Sequence, residues 1–331
     1  MRILVAPDKF KGTISAVAVA EAIAAVASDL GHIPIVQPLA DGGEGTLDAL
    51  GGANRTSVVS GPLGEPVEAQ WRLGSGRTAV VEMAQASGLA LVGGAEGNDA
   101  VAASTAGTGE LIDLAVQRNA RSIIVGVGGS ATTDGGWGAV QALQPVQRLR
   151  GIELVVACDV TTLFVDAAEV FGPQKGASPA QVELLRRRLQ RIAQVYESER
   201  GVDVTTMASA GAAGGLAGGL ASLGAALQPG FGIVADACHL DEQVEAADLV
   251  ITGEGQIDAT SMSGKVVGGV MELAAEFGVP VIALAGRIDP QFSLPIPTFT
   301  LVDHVGLERA MAEPAAAIAE TAAAALATIA G

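Results

Sequence analysis

The chain has 331 residues, enough for two domains with cores of their own. Its net charge of −17 argues against nucleic acid or an anionic membrane surface as partner. The two cysteines, Cys158 and Cys238, stand far apart without metal-ligand spacing, the pattern of a reduced cytoplasmic protein.

In chain order, Arg2–Ala6 reads as a short apolar strand; Asp8 interrupts it too early for a signal peptide. A helix follows from about Ser15 to Leu30 and stops at Gly31, and a second strand runs over Ile35–Pro38. Thr56–Ser60, Val67–Leu73 and Thr78–Glu82 are short strands joined by tight turns, which predicts antiparallel pairing. A helix beginning near Thr108 runs to Arg118, and Ser122–Val127 and Glu153–Ala157 are buried strands. Ser178-Pro-Ala-Gln181 is a capping box opening a helix to about Val195. No charged residue occurs from Val204 to Ala235, but Ala210–Ala226 is mostly Gly and Ala, which predicts a tightly packed helix inside the protein rather than a membrane span. Asp248–Thr252, Pro280–Ala285 and Thr298–Val302 are strands separated by helices, and an Ala-rich helix closes the chain after Pro314. The fold class is therefore α/β: a Rossmann-like parallel-sheet domain formed by both chain ends, residues 1–56 and 231–331, with an inserted mixed-sheet α/β domain, residues 57–230.

The chain has four lysines against fifteen arginines, and all four lysines lie close to glycines, three of them directly beside one. Lys9 and Lys11 sit in Asp8-Lys-Phe-Lys-Gly12, Lys175 precedes Gly176, and Lys265 follows Gly264. A compact ammonium fits beside a phosphate held by backbone where a guanidinium does not, so these lysines mark an anion site. Glycine turns supply the other parts. Asp41-Gly42-Gly43-Glu44-Gly, Thr105-Ala-Gly-Thr108-Gly109, Gly126-Val-Gly128-Gly129-Ser130-Ala-Thr132-Thr-Asp134, Cys158-Asp159 and Gly253-Glu254-Gly255-Gln-Ile-Asp258 follow predicted strands or open helices. Backbone N–H groups in such turns form anion nests, and ligands of parallel sheets bind at the carboxyl ends of strands. Nests, lysines and carboxylates together are the parts of phosphoryl transfer.

On this reading Lys11 and Lys265 from one domain and Lys175 from the other contact phosphate oxygens or a substrate carboxylate. Magnesium is held mainly by ATP phosphates with one or two of Asp41, Glu44, Glu254 and Asp258. Asp159 is the candidate base, with Asp134 and Asp8 as rivals and a simple turn cap as the plainer role. Thr108, Gly109, Gly128, Gly129, Ser130, Thr132, Gly211, Gly253 and Gly255 are the remaining candidates for nucleotide or substrate binding. A P-loop is absent, His32, His239 and His304 are scattered, and Ser130 is in no nucleophile elbow. Gly126-x-Gly-x-x-Ala131 loosely matches a dinucleotide fingerprint, but Leu-Arg-Gly stands where the ribose-binding acid belongs.

The motifs occur in a recognisable order. Ala6-Pro-Asp-Lys-Phe-Lys-Gly-Thr-Ile-Ser-Ala16, Ala40-Asp-Gly-Gly-Glu-Gly-Thr46, Gly107-Thr-Gly-Glu-Leu-Ile112, Gly128-Gly-Ser-Ala-Thr132, Ala157-Cys-Asp-Val160, Phe171-Gly-Pro-Gln-Lys-Gly-Ala177 and Val250-Ile-Thr-Gly-Glu-Gly255 resemble the two-domain bacterial glycerate kinases. The resemblance runs from Met1 to beyond Gly286. It implies ATP-dependent phosphorylation of D-glycerate to 2-phosphoglycerate, with the site in the cleft between a discontinuous Rossmann-like domain and its insert. The alternatives are a kinase for a related small sugar acid or giving 3-phosphoglycerate, a nucleotide-cofactor oxidoreductase, and a non-catalytic sensor of ATP or glycerate. The expected protein is cytoplasmic, a monomer or homodimer. Departures from the family pattern are a shortened segment between Gln144 and Gly151, Thr133 for Asn, Gln256 for Arg, Leu163-Phe-Val-Asp after Asp159, and Met207-Ala-Ser209 before the glycine-rich stretch.

Overall fold

The computed structural model describes residues 1–262 and 264–330, which form two compact units. Unit one comprises Met1–Asp41, Asp48–Leu50 and Phe231–Gly331, and unit two comprises Gly42–Leu47 and Gly51–Gly230. Residues 51–56, assigned to the first domain by sequence, belong to unit two because Arg55–Ser60 pairs antiparallel with Pro66–Leu73 there.

Unit one is built on five parallel strands in the order Thr298–Thr300, Val281–Ile288, Leu249–Ile257, Arg2–Val5 and Ile33–Val36. Both faces of this sheet are covered, which is why its strands read as unbroken apolar runs. On one face Ile3, Val5, Ile251 and Leu284 meet Val19 and Ile23 of the helix Ala16–Asp29, together with Ile318 and Leu326 of the closing helix Pro314–Ala330. On the other, Leu4 and Val250 meet Val234, Val266 and Val270. Ser15 starts the first helix by accepting the Ala18 N–H at 3.3 Å.

Two strands of this sheet outrun their predicted ends. Leu249–Ile257 stays paired with Val281–Ile288 as far as Ile257 opposite Ile288. Gly253 permits this: a Cβ there would lie 1.9 Å from the Leu284 carbonyl oxygen. The segment Gly253–Asp258 is thus mostly strand and not the anion-binding loop expected from its glycines.

Unit two holds a six-stranded mixed sheet in the order Arg55–Ser60, Pro66–Leu73, Thr78–Glu82, Ser122–Gly126, Glu153–Cys158 and Ala226–Pro229. The first three strands are antiparallel and the last four parallel. The capping box is formed, with the Ser178 N–H donating to Gln181 Oε1 at 2.8 Å. That helix continues past Val195 to Arg200, because its buried stripe of Leu185, Leu189, Ile192 and Tyr196 continues too.

Residues 210–226 are not one helix. Ala213 and Gly214 are left-handed, and the helix proper is only Leu216–Ala221. The kink lets Gly214 lie against Thr132, whose carbonyl oxygen would be 2.0 Å from a Cβ. Among the described residues, no helix is long and apolar enough to cross a membrane.

Candidate functional site

In unit one, the segment after the first strand runs on along Leu249–Ile257. Ala6 N–H donates to Ile251 O and Asp8 N–H to Gly253 O, each at 2.8 Å, and the Thr252 hydroxyl donates to Ala6 O at 2.9 Å. Gly255 makes room for this approach: a Cβ there would sit 3.1 Å from Phe10 Cα. So the two glycines expected to bind a ligand serve the chain itself.

The result is a cluster of acids at the carboxyl ends of the strands. Asp8 is 7% exposed, and its Oδ1 accepts the Lys9 N–H at 2.7 Å. Burial pushes its carboxyl up to about 7; Asp41 and Glu254 push the same way against Lys9. Glu254 is also raised, first by burial and then by Asp258 and Asp41, while the Ser261 hydroxyl and Lys265 oppose the shift. Its Oε1 is buried without a hydrogen-bond partner. Asp258 is held low by the Thr260 hydroxyl and N–H, at 2.6 and 2.8 Å. Lys265 is the N-cap residue of the helix Val266–Phe277, and Lys11 is exposed in the Phe10–Ile14 turn. Gln256 Oε1 accepts Arg287 Nε at 3.0 Å and Nη2 at 2.6 Å, so the guanidinium of this strand pair comes from the neighbouring strand.

In unit two the loop after Ser122–Gly126 is anchored from all sides. Asp134 Oδ2 accepts the Thr105 N–H at 2.9 Å, the Thr105 hydroxyl at 2.8 Å and the Gly138 N–H at 3.1 Å, and Oδ1 accepts the Gly136 N–H at 3.1 Å. With both oxygens so engaged, Asp134 is a loop anchor and not the rival base the sequence suggested. Lys175 is 2% exposed, and its Nζ donates to Thr132 O at 2.6 Å beneath the Phe171 ring. Burial drives its ammonium down to about 7, with Asp134 opposing. Lys175 is therefore a buried tether of this loop.

Other candidates prove to be packing positions. Thr108 is buried and its hydroxyl meets Ser87 Oγ at 2.8 Å. A Cβ on Gly109 would lie 2.6 Å from Ala139 backbone, and one on Gly211 would lie 2.3 Å from Leu163 O. At Gly128 it would meet Gly43 Cα at 2.7 Å, so the space a dinucleotide pyrophosphate needs is filled by protein. The helix after this loop begins only at Trp137, a further mismatch to that fingerprint. Gly129 has φ 69° and Ser130 is half-buried. Thr132 and Thr133 are buried with unpartnered hydroxyls. Asp159 is exposed just beyond the strand Glu153–Cys158, at the strand end where the sequence placed it.

The turn Gly42–Leu47, and with it Glu44, belongs to unit two, whereas Glu254 and Asp258 belong to unit one. Among the described residues, no three His, Cys, Asp or Glu side chains stand ready to hold a metal ion by themselves. The turn is clamped by a residue that sequence reasoning missed. Glu82, 4% exposed, accepts the Gly45 N–H at 2.9 Å and the Leu47 N–H at 2.8 Å with its Oε1. The signal for it was present: an acid closes the apolar strand Thr78–Glu82 as Asp159 follows its own strand.

The Glycerate kinase family profile matches residues 3–146 and 144–330. The Glycerate 2-kinase of Escherichia coli K12 is 42% identical over 329 residues, covering 87% of this chain and 86% of its own length. The Glycerate kinase of Bacillus subtilis is 41% identical, covering 87% and 85%. The crystal structure of a candidate glycerate kinase 2 from Salmonella typhimurium LT2 matches with a TM-score of 0.82 and 37% identity, over 99% of this chain and 98% of that one.

Proposed function

Since the chain belongs to the glycerate kinase family, we propose that it transfers the γ-phosphoryl group of ATP to the 2-hydroxyl of D-glycerate, giving 2-phosphoglycerate and ADP in the cytoplasm. One observation carries the chemical part of this reading. Asp8 is a buried acid poised near neutrality at the carboxyl end of a parallel sheet, next to Asp41 and Glu254. A base is most effective when its pKa lies near the working pH. Asp8 takes the proton of the attacking hydroxyl as the new P–O bond forms and ADP departs. This moves the role from Asp159, which is exposed, and from Asp134, whose oxygens are occupied.

The residues of unit one fit magnesium. Glu254 offers a buried, unpartnered carboxylate oxygen, and Asp41 and Asp258 lie in its field. Hard oxygen donors of this kind suit a magnesium that keeps waters and phosphate oxygens as its other ligands. Bound there, the ion neutralises charge on the ATP phosphates. Lys265 at its helix N-terminus and exposed Lys11 supply further positive charge for phosphate.

Phosphorus NMR of a reaction with ATP, magnesium and D-glycerate tests the reading. A product signal split by the single C2 proton supports 2-phosphoglycerate. Splitting by the C3 methylene protons overturns the regiochemistry, and absence of a phosphorylated product overturns the function.

A further inference from the structure

The loop after Ser122–Gly126 lies wholly within unit two, and three of its carbonyls are gripped from outside it. The Leu89 N–H donates to Gly129 O at 2.8 Å, Asn98 Nδ2 to Ala131 O at 3.0 Å and Lys175 Nζ to Thr132 O at 2.6 Å. Each of these carbonyls shares its peptide group with the N–H of the next residue. Each bond therefore polarises the N–H of Ser130, Thr132 or Thr133 and makes it a better donor. Among the described residues, no acceptor meets those three N–H groups, nor those of Gly128 and Gly129. The hydroxyls of buried Thr132 and Thr133 have no partner either. A buried donor without an acceptor is costly, so a loop that keeps several in a row calls for an explanation.

The end of this loop nearest the strand is open to solvent. Gly129 is exposed and Ser130 half-buried, while Gly43 closes the Cβ side of Gly128. Ser130 is bridged antiparallel to Gly88 by the bonds of its neighbours, Leu89 N–H to Gly129 O and Ala131 N–H to Ser87 O, so its own N–H faces away from that segment. Gly129 has φ 69°, the left-handed step that brings successive N–H groups round to one concavity. Three successive N–H groups at the carboxyl end of a parallel strand suit an acceptor-only ligand, and a charged one most of all.

We propose that Gly128, Gly129 and Ser130 form an oxyanion site of unit two, which takes one carboxylate or phosphate group on their N–H groups and the Ser130 hydroxyl. The site is complete within unit two. It goes beyond the kinase reading and does not rest on it.

The test is amide NMR of the full-length, isotope-labelled protein, titrated separately with inorganic phosphate, acetate and neutral acetamide at constant pH and ionic strength. The Gly128, Gly129 and Ser130 amide protons should move downfield together with phosphate, acetate or both, half-saturated at about 10 mM or below, and acetamide should leave them in place. Saturation by phosphate alone assigns a phosphate group as the ligand, and by acetate alone a carboxylate. Ser130→Pro removes an N–H and a hydroxyl that no described residue uses. It should weaken the anion about tenfold or more, read from the Gly128 and Gly129 signals. Signals that do not saturate, that respond equally to acetamide, or that saturate as readily in Ser130→Pro overturn the inference. If Ser130→Pro fails to fold, the native titration decides alone, since its three signals either saturate or do not. Glycerate turnover without this saturation overturns the inference and leaves the kinase reading standing; saturation without turnover does the reverse.

Discussion

The main-chain N–H of Asp8 donates to the carbonyl of Gly253 at 2.8 Å. One hydrogen bond thus sets an acid from the start of the chain beside Glu254 from near its end. Burial, with the charges of Asp41 and Glu254 adding to it, then raises the affinity of Asp8 for a proton. Two like charges held this close in a buried place are destabilising until a proton or cation relieves them.

Replacing Asp8 by Asn should therefore reduce kcat by about 10²–10⁴-fold. For the native enzyme, kcat/KM should climb as pH rises through about 7, where Asp8 ionises. The stability sign follows from linkage. The folded protein holds the Asp8 proton up to about 7 and the unfolded chain only to 3.8. The stability this contributes is present below the lower value and lost as pH rises through the higher one. Asn cannot titrate, so the Tm of Asp8→Asn minus that of the native protein should grow between pH 5 and pH 8. A constant or shrinking gap in thermal unfolding would count against the buried, raised Asp8.

Glu254→Gln should increase the magnesium concentration needed for half-maximal rate by about tenfold, the loss of roughly one charged oxygen ligand. A magnesium titration at saturating ATP reads this directly. An unchanged requirement would take Glu254 out of the metal's surroundings.

Lys175 should behave as a buried tether. Its ammonium falls from 10.5 to about 7 on folding, so the unfolded chain binds the extra proton between those values. Its contribution to stability rises with pH across that window. Measured by thermal unfolding, the Tm of the native protein minus that of Lys175→Met should be larger at pH 9 than at pH 6. Lys175→Arg, bulkier and unable to lose its charge, should cost about 1–3 kcal/mol from overpacking alone, plus the burial of that charge. Native-like stability of Lys175→Arg in urea would mean the site is looser than it is drawn.

The glycines divide sharply. Gly253→Ala places a Cβ 1.9 Å from the Leu284 oxygen and should destabilise by several kcal/mol, about 3 or more. Gly232→Ala, inside the helix Gly230–Ala237 with nothing within 4 Å of its Cβ, should be neutral or stabilise by up to about 1 kcal/mol. Denaturant unfolding of the two variants should show opposite shifts.

The architecture was legible because its signals are local. Apolar runs flanked by glycine placed nearly every strand, and Ser15 and the Ser178 capping box fixed two helix starts. The acids of unit one were legible as well, since each sits at a strand end or in a tight turn. Glycine was the ambiguous letter. At Gly109, Gly211 and Gly253 it means that another segment of the chain passes too close for a Cβ, which composition alone does not separate from a ligand nest. Lys175 and Asp134 misled for a related reason. A polar group beside glycines was read as facing a ligand, when its partners are the Thr132 carbonyl and the Thr105 backbone. Glu82 was missed because its partners lie 35 and 37 residues away.

The placement of the first strand has a consequence for how the protein is made. Arg2–Val5 lies inside its sheet, between Ile33–Val36 and Leu249–Ile257. It is translated before both neighbours, and one of them follows 246 residues later in the chain. At about 5–20 residues per second, that strand edge waits many seconds on the ribosome. Most of unit two, Gly51–Gly230, has emerged by then and can assemble from contacts within itself. The insert is thus free to fold first, and the acid pair Asp8 and Glu254 is among the last features to form, so a truncated nascent chain would carry a finished unit two and no Asp8–Glu254 pair.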